Sequence, residues 1–308
     1  MNPFLLSLLV CVLLTGCAGG RAAGTAGTAP GAGTPSHAQP APSPLAPLAP
    51  LAQVQTWGVQ LTGYGSARLK AVTASALDLI VVDPTDDEGH PWTPAEVQQA
   101  RGKRLLLAYL SMGAAEDYRP YWQAHWKVGA PAWLLRQDPD WPGNYDVAYW
   151  DPAWKTIALA QLDRVIAQGF DGVYMDLIDA YERNEDRPTA RAEMVAWVCQ
   201  IAAHARQKKP GFLIVPQNAA ELLRDPGYAG CVDASGNEST FMYPGDQRTE
   251  PERQRALLSD FALWKNLGKP VFTIEYVAGP ALQARTVSAA RAHGLIPFIG
   301  VRALNRTP

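Results

Sequence analysis

The sequence has little charge at its start and no hydrophobic run of membrane-spanning length. Residues 1–52 contain a single Lys, Arg, Asp or Glu side chain, Arg21, although the 308-residue chain has 27 basic and 29 acidic ones. The apolar run Phe4–Leu14 is eleven residues long and is interrupted by Ser7. Because a transmembrane helix needs about 20 apolar residues, this run does not predict a membrane span.

Basic clusters and cofactor motifs are also missing. The formal net charge is −2 and no run of Lys or Arg occurs, so no nucleic-acid partner is expected. The chain has five His and no G-x-G-x-x-G, H-x-H or H-E-x-x-H pattern. We therefore expect neither a cofactor nor a metal ion. A metal-dependent hydrolase built on clustered Asp side chains is an alternative, which loss of activity in a chelator would identify.

The N-terminal segment predicts export. Its apolar run fits the hydrophobic part of a secretory signal, and it ends at Leu14-Thr15-Gly16-Cys17, which looks like a bacterial lipobox. We predict a signal peptide over residues 1–16 and lipid attachment at Cys17, which would hold an exported lipoprotein on a membrane, facing the periplasm or the cell surface. An ordinary export signal and a buried hydrophobic strand are the alternatives.

The following segment, residues 17–52, is rich in Ala, Gly and Pro. Such a composition cannot bury a core and favours extended, solvated backbone. We predict a disordered tether over residues 17–52 and one monomeric domain over residues 53–308, a length typical of a (β/α)8 barrel.

Short apolar runs alternate with helical patterns in this domain. The predicted strands are Trp57–Leu61, Leu79–Val82, Arg104–Leu110, Gly172–Met175, Phe212–Pro216, Cys231–Ser235, Pro270–Ile274 and Leu295–Val301. The clearest predicted helices are Ala153–Gln168, Ala190–Lys208 and Pro251–Leu267, and Gly169, Gly211, Gly268 and Gly294 are predicted left-handed stops. The pattern favours an α/β fold of the (β/α)8 TIM-barrel type, with a doubly wound open sheet as the alternative.

Two of the four cysteines, Cys199 and Cys231, fall within this domain. In an oxidising compartment they can form a disulfide. Because Cys199 lies in an apolar helical stretch, we favour a small, buried and unpaired side chain at that position.

Carboxylates and amides follow the predicted strands. Barrel enzymes carry their chemistry at the carboxyl ends of the strands. The side chains found there are Asp83, Asp176, Asn218, Glu238 and Glu275, with Glu116 and Asp117 just past the third strand. One such Asp would be read as a helix cap, but the set as a whole indicates a carboxylate active site.

Aromatic residues are concentrated next to these acids. Seven of the ten Trp lie between Trp92 and Trp154, interleaved with Tyr, and much of residues 114–151 reads as loop. Flat rings with polar edges suit sugar binding as well as core packing. We therefore expect about half of these aromatic residues to be packing residues.

These motifs resemble glycoside hydrolase family 114, the endo-α-1,4-polygalactosaminidase family, and its bacterial and archaeal branch in particular. The runs that carry the resemblance are LLLAYLSMGAAEDYRPYW, WPGNYDVAYWDPAW, GFDGVYMDLIDAYE, IVPQNAAELL, GNESTFMY and GKPVFTIEY, spread over residues 55–305. The resemblance implies a TIM barrel, export, and hydrolysis of α-1,4-linked galactosamine-rich polysaccharide. The family's catalytic acids match Asp176 in GVYMD and Glu238 in GNES.

Glycoside hydrolysis needs one carboxylic acid and one carboxylate. We predict Asp176 as the nucleophile and Glu238 as the general acid/base, and the opposite assignment stays open. The predicted substrate contacts are Asp83, Tyr109, Glu116, Tyr149, Trp150, Asp179, Asn218, Glu275 and Tyr276. For Arg119 and Arg302 a structural salt bridge is the favoured role. The alternatives are hydrolysis of another amino-sugar or cell-wall glycan, and a surface lipoprotein that binds polysaccharide without cutting it.

Overall fold

The computed structural model describes residues 51–306. The predicted signal peptide, the predicted lipidation site Cys17 and most of the predicted tether lie outside the described residues. A short 3-10 helix, Leu51–Gln53, opens the described range, and Leu51 is 1% exposed. The last two residues assigned to the tether thus belong to the folded domain. Within residues 51–306 no helix is both long and apolar enough to cross a membrane.

Strands and helices alternate through this range, and two small antiparallel sheets, of two and three strands, are added to them. The strands are β1 (Trp57–Gln60), β2 (Leu79–Val82), β3 (Leu105–Ser111), β4 (Ala114–Glu116), β5 (Leu134–Gln137), β6 (Asn144–Val147), β7 (Gly172–Asp176), β8 (Leu213–Pro216), β9 (Ser235–Glu238), β10 (Met242–Tyr243), β11 (Gln247–Arg248), β12 (Val271–Glu275) and β13 (Ile296–Ile299). The α-helices are α1 (Lys70–Ala74), α2 (Pro94–Arg101), α3 (Pro152–Gln168), α4 (Ala190–Lys208), α5 (Tyr228–Cys231), α6 (Pro251–Asn266) and α7 (Pro280–Ala292).

Eight of these strands lie in two parallel sheets. The first has the order β1-β2-β3-β7-β8 and the second has the order β13-β12-β9. A parallel bridge between Gln217 and Gly236 links β8 to β9, and Trp57 Nε1 of β1 donates a hydrogen bond of 2.9 Å to the carbonyl of Ile296 in β13. The predicted α/β class is confirmed, and the carboxyl ends of neighbouring parallel strands lie at the same edge.

Two apolar clusters hold the elements together. The inner cluster consists of side chains that the strands direct towards one another, such as Trp57, Tyr174 and Phe272. The outer cluster lies between strands and helices and includes the fully buried Trp154 and Trp197. Strands covered on both faces need apolar side chains at successive positions, which explains why their runs are continuous in the sequence.

Helix boundaries follow local chemistry. Asp151 caps α3 by accepting a hydrogen bond from Ala153 N, and Pro152 occupies the first turn. The helix α4 has the predicted bounds. The predicted left-handed conformation of Gly169, Gly211, Gly268 and Gly294 is confirmed, with φ between 69° and 97°.

The sixth parallel strand lies later in the chain than predicted. The expected range was Cys231–Ser235, but Cys231 ends helix α5 and the strand is Ser235–Glu238. Its sequence, Ser-Gly-Asn-Glu, is polar, because its inward-facing positions hold a glycine and a carboxylate rather than apolar side chains. Glu238 is therefore the last residue of the strand itself.

One further expectation is wrong. Cys199 is not an unpaired side chain, because its sulfur is bonded to that of Cys231. Much of residues 114–151 is loop, as expected, but the segment also contains β4, β6 and β5, which form a small antiparallel sheet in that order. These strands have three or four residues each, which is too short for a periodic pattern to reveal.

Candidate active site

Strand alternation directs the candidate catalytic residues to one space. Successive side chains of a strand point to opposite faces, so residues i and i+2 share a face. Tyr174 belongs to the inner cluster, and Asp176 follows it by two residues at the end of β7. Gly236, whose Cα is directed at the Tyr174 ring, is followed in the same way by Glu238 at the end of β9. The structure therefore brings the two predicted catalytic acids together.

Asp176 is a half-buried carboxyl group fixed by two donors. Tyr109 Oη donates to its Oδ2 at 2.5 Å, and the backbone N–H of Leu177 donates to its Oδ1 at 2.8 Å. Burial, reinforced by the charge of Glu238, raises the pKa of Asp176 to about 7 against the opposing effect of the Tyr109 hydrogen bond. A carboxyl group in this range can change protonation state near neutral pH.

Glu238 is held in a similar way. Tyr276 Oη donates to its Oε1, and its backbone N–H donates to Asn218 Oδ1 at 3.2 Å. Burial raises the pKa of Glu238, and the negative charge of Asp179 raises it further. The Tyr276 hydrogen bond and the positive charge of Arg302 both lower this pKa, but the net effect is a rise. Each candidate catalytic acid thus has one tyrosine hydroxyl as its fixed partner.

Asp179 and Asn218 extend this arrangement. Asn218 Nδ2 donates to Asp179 Oδ2 at 3.3 Å, while Asn218 Oδ1 accepts from the backbone of Glu238. Burial raises the pKa of Asp179. Of the predicted substrate contacts, Tyr109, Asn218 and Tyr276 therefore bind one candidate catalytic acid or the other, and Asp179 is linked to Glu238 through Asn218.

Left-handed backbone marks the same strand ends. Leu177, Asn218 and Ser239 have φ of 57°, 60° and 54°, a conformation that side chains with a Cβ seldom adopt. Leu177 and Ser239 directly follow the two candidate catalytic acids. Strained residues of this kind cluster at functional sites, and apart from Asn218 the sequence contains no sign of them.

A second group of predicted contacts forms a buried ion-pair network. Arg119 donates to Glu116 Oε2 at 2.7 Å and to Asp83 Oδ1 at 2.8 Å, and all three side chains are buried. The salt-bridge role predicted for Arg119 is confirmed. Tyr118 Oη donates to Glu116 Oε1 at 2.5 Å. Burial is the main cause of a raised pKa at Tyr109, and the charges of Asp176 and Glu116 raise it further. Asp83 and Glu116 are thus paired with Arg119, and Glu116 lies close enough to Tyr109 for its charge to act there.

Three predicted substrate contacts lie elsewhere. Glu275 has no exposed surface, and its Oε2 accepts from the backbone N–H groups of Phe241 and Met242, both at 2.9 Å. Tyr149 is also fully buried, with its hydroxyl donating to the carbonyl of Ala190. Trp150 packs against Tyr149 and is covered by the guanidinium of Arg187, 4.2 Å from the ring centroid. A sugar cannot reach Glu275 or Tyr149 in these positions, so both expectations are corrected.

Two residues at or near the site, Tyr174 and Trp141, were not among the predicted contacts. Tyr174 Oη is buried without a hydrogen-bond partner among the described residues, and the charges of Glu238 and Asp176 add to the effect of burial in raising its pKa. Trp141 is 50% exposed, and Arg302 stacks on it instead of forming the predicted salt bridge. Tyr174 precedes Asp176 by two residues in β7, so strand alternation places both side chains on the same face. This rule would have identified Tyr174.

The site contains carboxyl groups, tyrosine hydroxyls and an amide, which suit proton transfer and nucleophilic attack. Possible metal-ligand atoms of Asp86, Glu88 and His90 lie within 4.8 Å of one another. These three residues belong to the loop between β2 and α2 and not to the strand ends that carry Asp176 and Glu238. Asp86 is already paired there with Arg68 at 2.7 Å. Two half-buried carboxyl groups at the strand ends of an α/β structure are the groups that glycoside hydrolysis requires.

Comparison with known proteins agrees. The chain belongs to glycoside hydrolase family GH114, whose profile it matches over residues 37–307. It is 62% identical to an uncharacterized protein of Deinococcus radiodurans over 99% of this chain and 98% of that protein. It is 34% identical to the uncharacterized protein MJ1477 of Methanocaldococcus jannaschii over 72% of this chain and 66% of that protein. The resemblance seen in the sequence is confirmed, and the protein is a glycoside hydrolase.

Solved structures show the same fold. The glycoside hydrolase domain of PelA from Pseudomonas aeruginosa superposes with a TM-score of 0.65 at 17% identity, covering 82% of this chain and 96% of that one. Ega3 from Aspergillus fumigatus, solved in complex with galactosamine, gives a TM-score of 0.63 at 22% identity, covering 82% of this chain and 93% of that one.

Proposed function

We propose that this glycoside hydrolase cleaves α-1,4-linked, galactosamine-rich polysaccharide with Asp176 as nucleophile and Glu238 as general acid/base. The observation that carries the proposal is the pair of half-buried carboxyl groups at the ends of β7 and β9, each bound by a tyrosine hydroxyl. The family and the galactosamine bound to the structurally similar Ega3 support the choice of sugar.

The reaction follows from the environments of the two acids. Glu238, whose pKa burial raises, is the proposed acid and transfers its proton to the glycosidic oxygen as the bond to the anomeric carbon breaks. The pKa of Asp176, about 7, leaves part of the population as the carboxylate at neutral pH. The Asp176 carboxylate, oriented by Tyr109 and Leu177 N–H, attacks that carbon. Water then releases the sugar and returns the proton to Glu238. The opposite assignment of the two acids predicts the same products.

The two parallel sheets, linked by the Gln217–Gly236 bridge and the Trp57–Ile296 hydrogen bond, support a (β/α)8 barrel as the frame of this site.

We also propose export and lipid attachment at Cys17, for which the lipobox and the disulfide between Cys199 and Cys231 are the support. Replacement of Cys17 by Ser is expected to move the protein from the membrane fraction to the soluble fraction.

The test is to incubate the full-length protein with galactosamine oligomers and to count new reducing ends. We expect the Asp176→Asn and Glu238→Gln variants to lose at least about 1,000-fold in kcat/KM, since each removes a group essential to one step. Asp163→Asn is the matched control, because Asp163 pairs with His204 and Lys208 on the helical layer. Equal cleavage by wild type and Asp176→Asn would refute the assignment, and bound but intact chains would favour a binding protein.

A further inference from the structure

Trp141 differs from every other tryptophan of the chain. It is 50% exposed, and each of the other nine tryptophans is less exposed than this. Its backbone N–H donates to Asp138 Oδ1 at 3.2 Å, its carbonyl accepts from Asn144 N at 3.0 Å, and Arg183 fixes Asp138 with an ion pair of 3.1 Å. The loop between β5 and β6 thus holds an apolar ring in solvent at a fixed place.

Arg302 lies against this ring and connects it to the Glu238 side of the cleft. Its guanidinium carbon is 5.1 Å from the Trp141 ring centroid. The segment that carries Arg302 leaves β13 beside β12, where Gly300 N donates to the Glu275 carbonyl at 3.0 Å. The next residue, Tyr276, reaches Glu238 with its hydroxyl. Arg302 is close enough for its charge to oppose the rise in the pKa of Glu238.

Groups of opposite charge therefore act on Glu238 from different strand ends. Asp179 and Asn218 follow β7 and β8, whereas Arg302 follows β13, the last strand of the other sheet. An ammonium group on a sugar is attracted to the Asp179 carboxylate and repelled by the Arg302 guanidinium. An N-acetyl group offers a neutral carbonyl oxygen, which the N–H donors of arginine bind.

We propose that Trp141 and Arg302 form the subsite for the leaving-group sugar, and that this subsite accepts an N-acetylated residue and disfavours a residue with a free amine. The free face of the indole stacks on the sugar ring while Arg302 donates to its acetyl oxygen. The position follows from the chemistry, because the acid protonates the oxygen of the sugar that leaves. This inference rests on the proposed function, with Glu238 as the acid.

The experiment compares full-length variants on fully deacetylated and partly N-acetylated galactosamine oligomers, with the products sequenced by mass spectrometry. We expect wild type to place acetylated residues at the new non-reducing ends, which derive from the leaving-group sugar. Trp141→Ala should raise KM about tenfold with a much smaller change in kcat, since the indole contacts the sugar equally in the ground state and the transition state. Arg302→Met should abolish the acetyl preference, and Leu267→Ala, which trims another exposed apolar side chain, should change neither.

The inference is overturned if both variants keep the wild-type KM and product ends while Asp176→Asn is inactive, and the proposed function then stands. If wild type cleaves neither oligomer, the proposed function fails. Calorimetric titration of partly acetylated oligomer into the Asp176→Asn variant still decides the subsite in that case. If adding Trp141→Ala to the Asp176→Asn variant leaves the affinity unchanged, the proposed subsite is refuted. A tenfold loss of affinity would support the subsite.

Discussion

Tyr174 and Gly236 occupy one small volume beneath the two proposed catalytic acids. The Tyr174 ring fills the place where a Cβ on residue 236 would lie, so both its hydroxyl and its ring carbons would overlap with any larger residue. The contact sets the spacing of β7 and β9, and hence of Asp176 and Glu238, which follow these residues by two positions. A glycine is required here for close approach, independently of its backbone angles.

We expect Gly236→Ala to destabilise the protein by about 1–3 kcal/mol, because overpacking a dense core forces side chains and backbone to shift. Activity should fall with it, since the two acids would be displaced. Thermal unfolding and reducing-end assays measure these effects. Gly230→Ala is the control, because a Cβ there meets nothing within 4 Å. Similar stabilities for the two variants would contradict the packing argument.

Tyr109 controls the charge state of Asp176. Its hydroxyl donates to Oδ2 at 2.5 Å and opposes the effects of burial and of Glu238, which together still raise the pKa of Asp176 to about 7. The nucleophile acts as a carboxylate, so activity is lost as pH falls through that pKa. Removing the donor in Tyr109→Phe should raise the pKa of Asp176 further and move the acidic limb of the kcat/KM profile to higher pH by roughly one unit.

The pH profile of Tyr228→Phe provides the comparison. Tyr228 is buried in the helical layer and its hydroxyl has no hydrogen-bond partner among the described residues. Its removal should leave the acidic limb in place. An unmoved limb in Tyr109→Phe, or one displaced to lower pH, would show that the hydroxyl does not stabilise the carboxylate.

At the scale of elements, strands that serve only as structure were readable from the sequence. The strand β2, Leu-Ile-Val-Val, has the predicted bounds because both of its faces are covered by apolar groups. The strand β9, Ser-Gly-Asn-Glu, was misplaced because its inward positions serve the site, with Gly236 making room for Tyr174 and Glu238 facing the cleft. The position of Tyr149 was misjudged for a related reason, since an aromatic residue in a polar stretch can face either solvent or the core.

The disulfide ties α4 to α5, the helix that leads into β9. It joins residues 32 positions apart, and closing a loop of that length contributes about 3–4 kcal/mol in the chain-entropy description. The Cys199→Ser/Cys231→Ser double variant should therefore unfold roughly 10 °C lower than wild type. Both cysteines lie in helices away from the strand ends, so kcat at 25 °C should stay unchanged.

Thermal unfolding with and without a reductant isolates this contribution. The reductant should lower the melting temperature of wild type to that of the double variant and leave the double variant unaffected. A wild-type protein insensitive to the reductant, with its thiols shown to be free by alkylation, would mean that the disulfide contributes nothing to stability.

For the molecule as a whole, the fold begins earlier than composition suggests. Leu51 belongs to the third of three Pro-Leu-Ala triplets between Pro44 and Ala52, and nothing within the triplet distinguishes it from the other two. In the structure it joins Val54 and Trp57 in the inner cluster, at the end opposite the catalytic acids. Its role depends on the residues that it contacts in the folded domain, and composition does not reveal these contacts.

A chain that starts at residue 53, the domain boundary predicted from composition, should therefore be less stable than one that starts at residue 51. Burial of a leucine side chain contributes about 1.5–3 kcal/mol, which corresponds to a melting temperature lower by roughly 4–10 °C for a domain of this size. Leu51→Ala in the full-length chain should reproduce most of this loss. Ala52→Ser, which changes an exposed neighbour in the same 3-10 helix, should not. If the two truncated chains melt together, Leu51 does not seal the inner cluster and the domain begins where the composition changes.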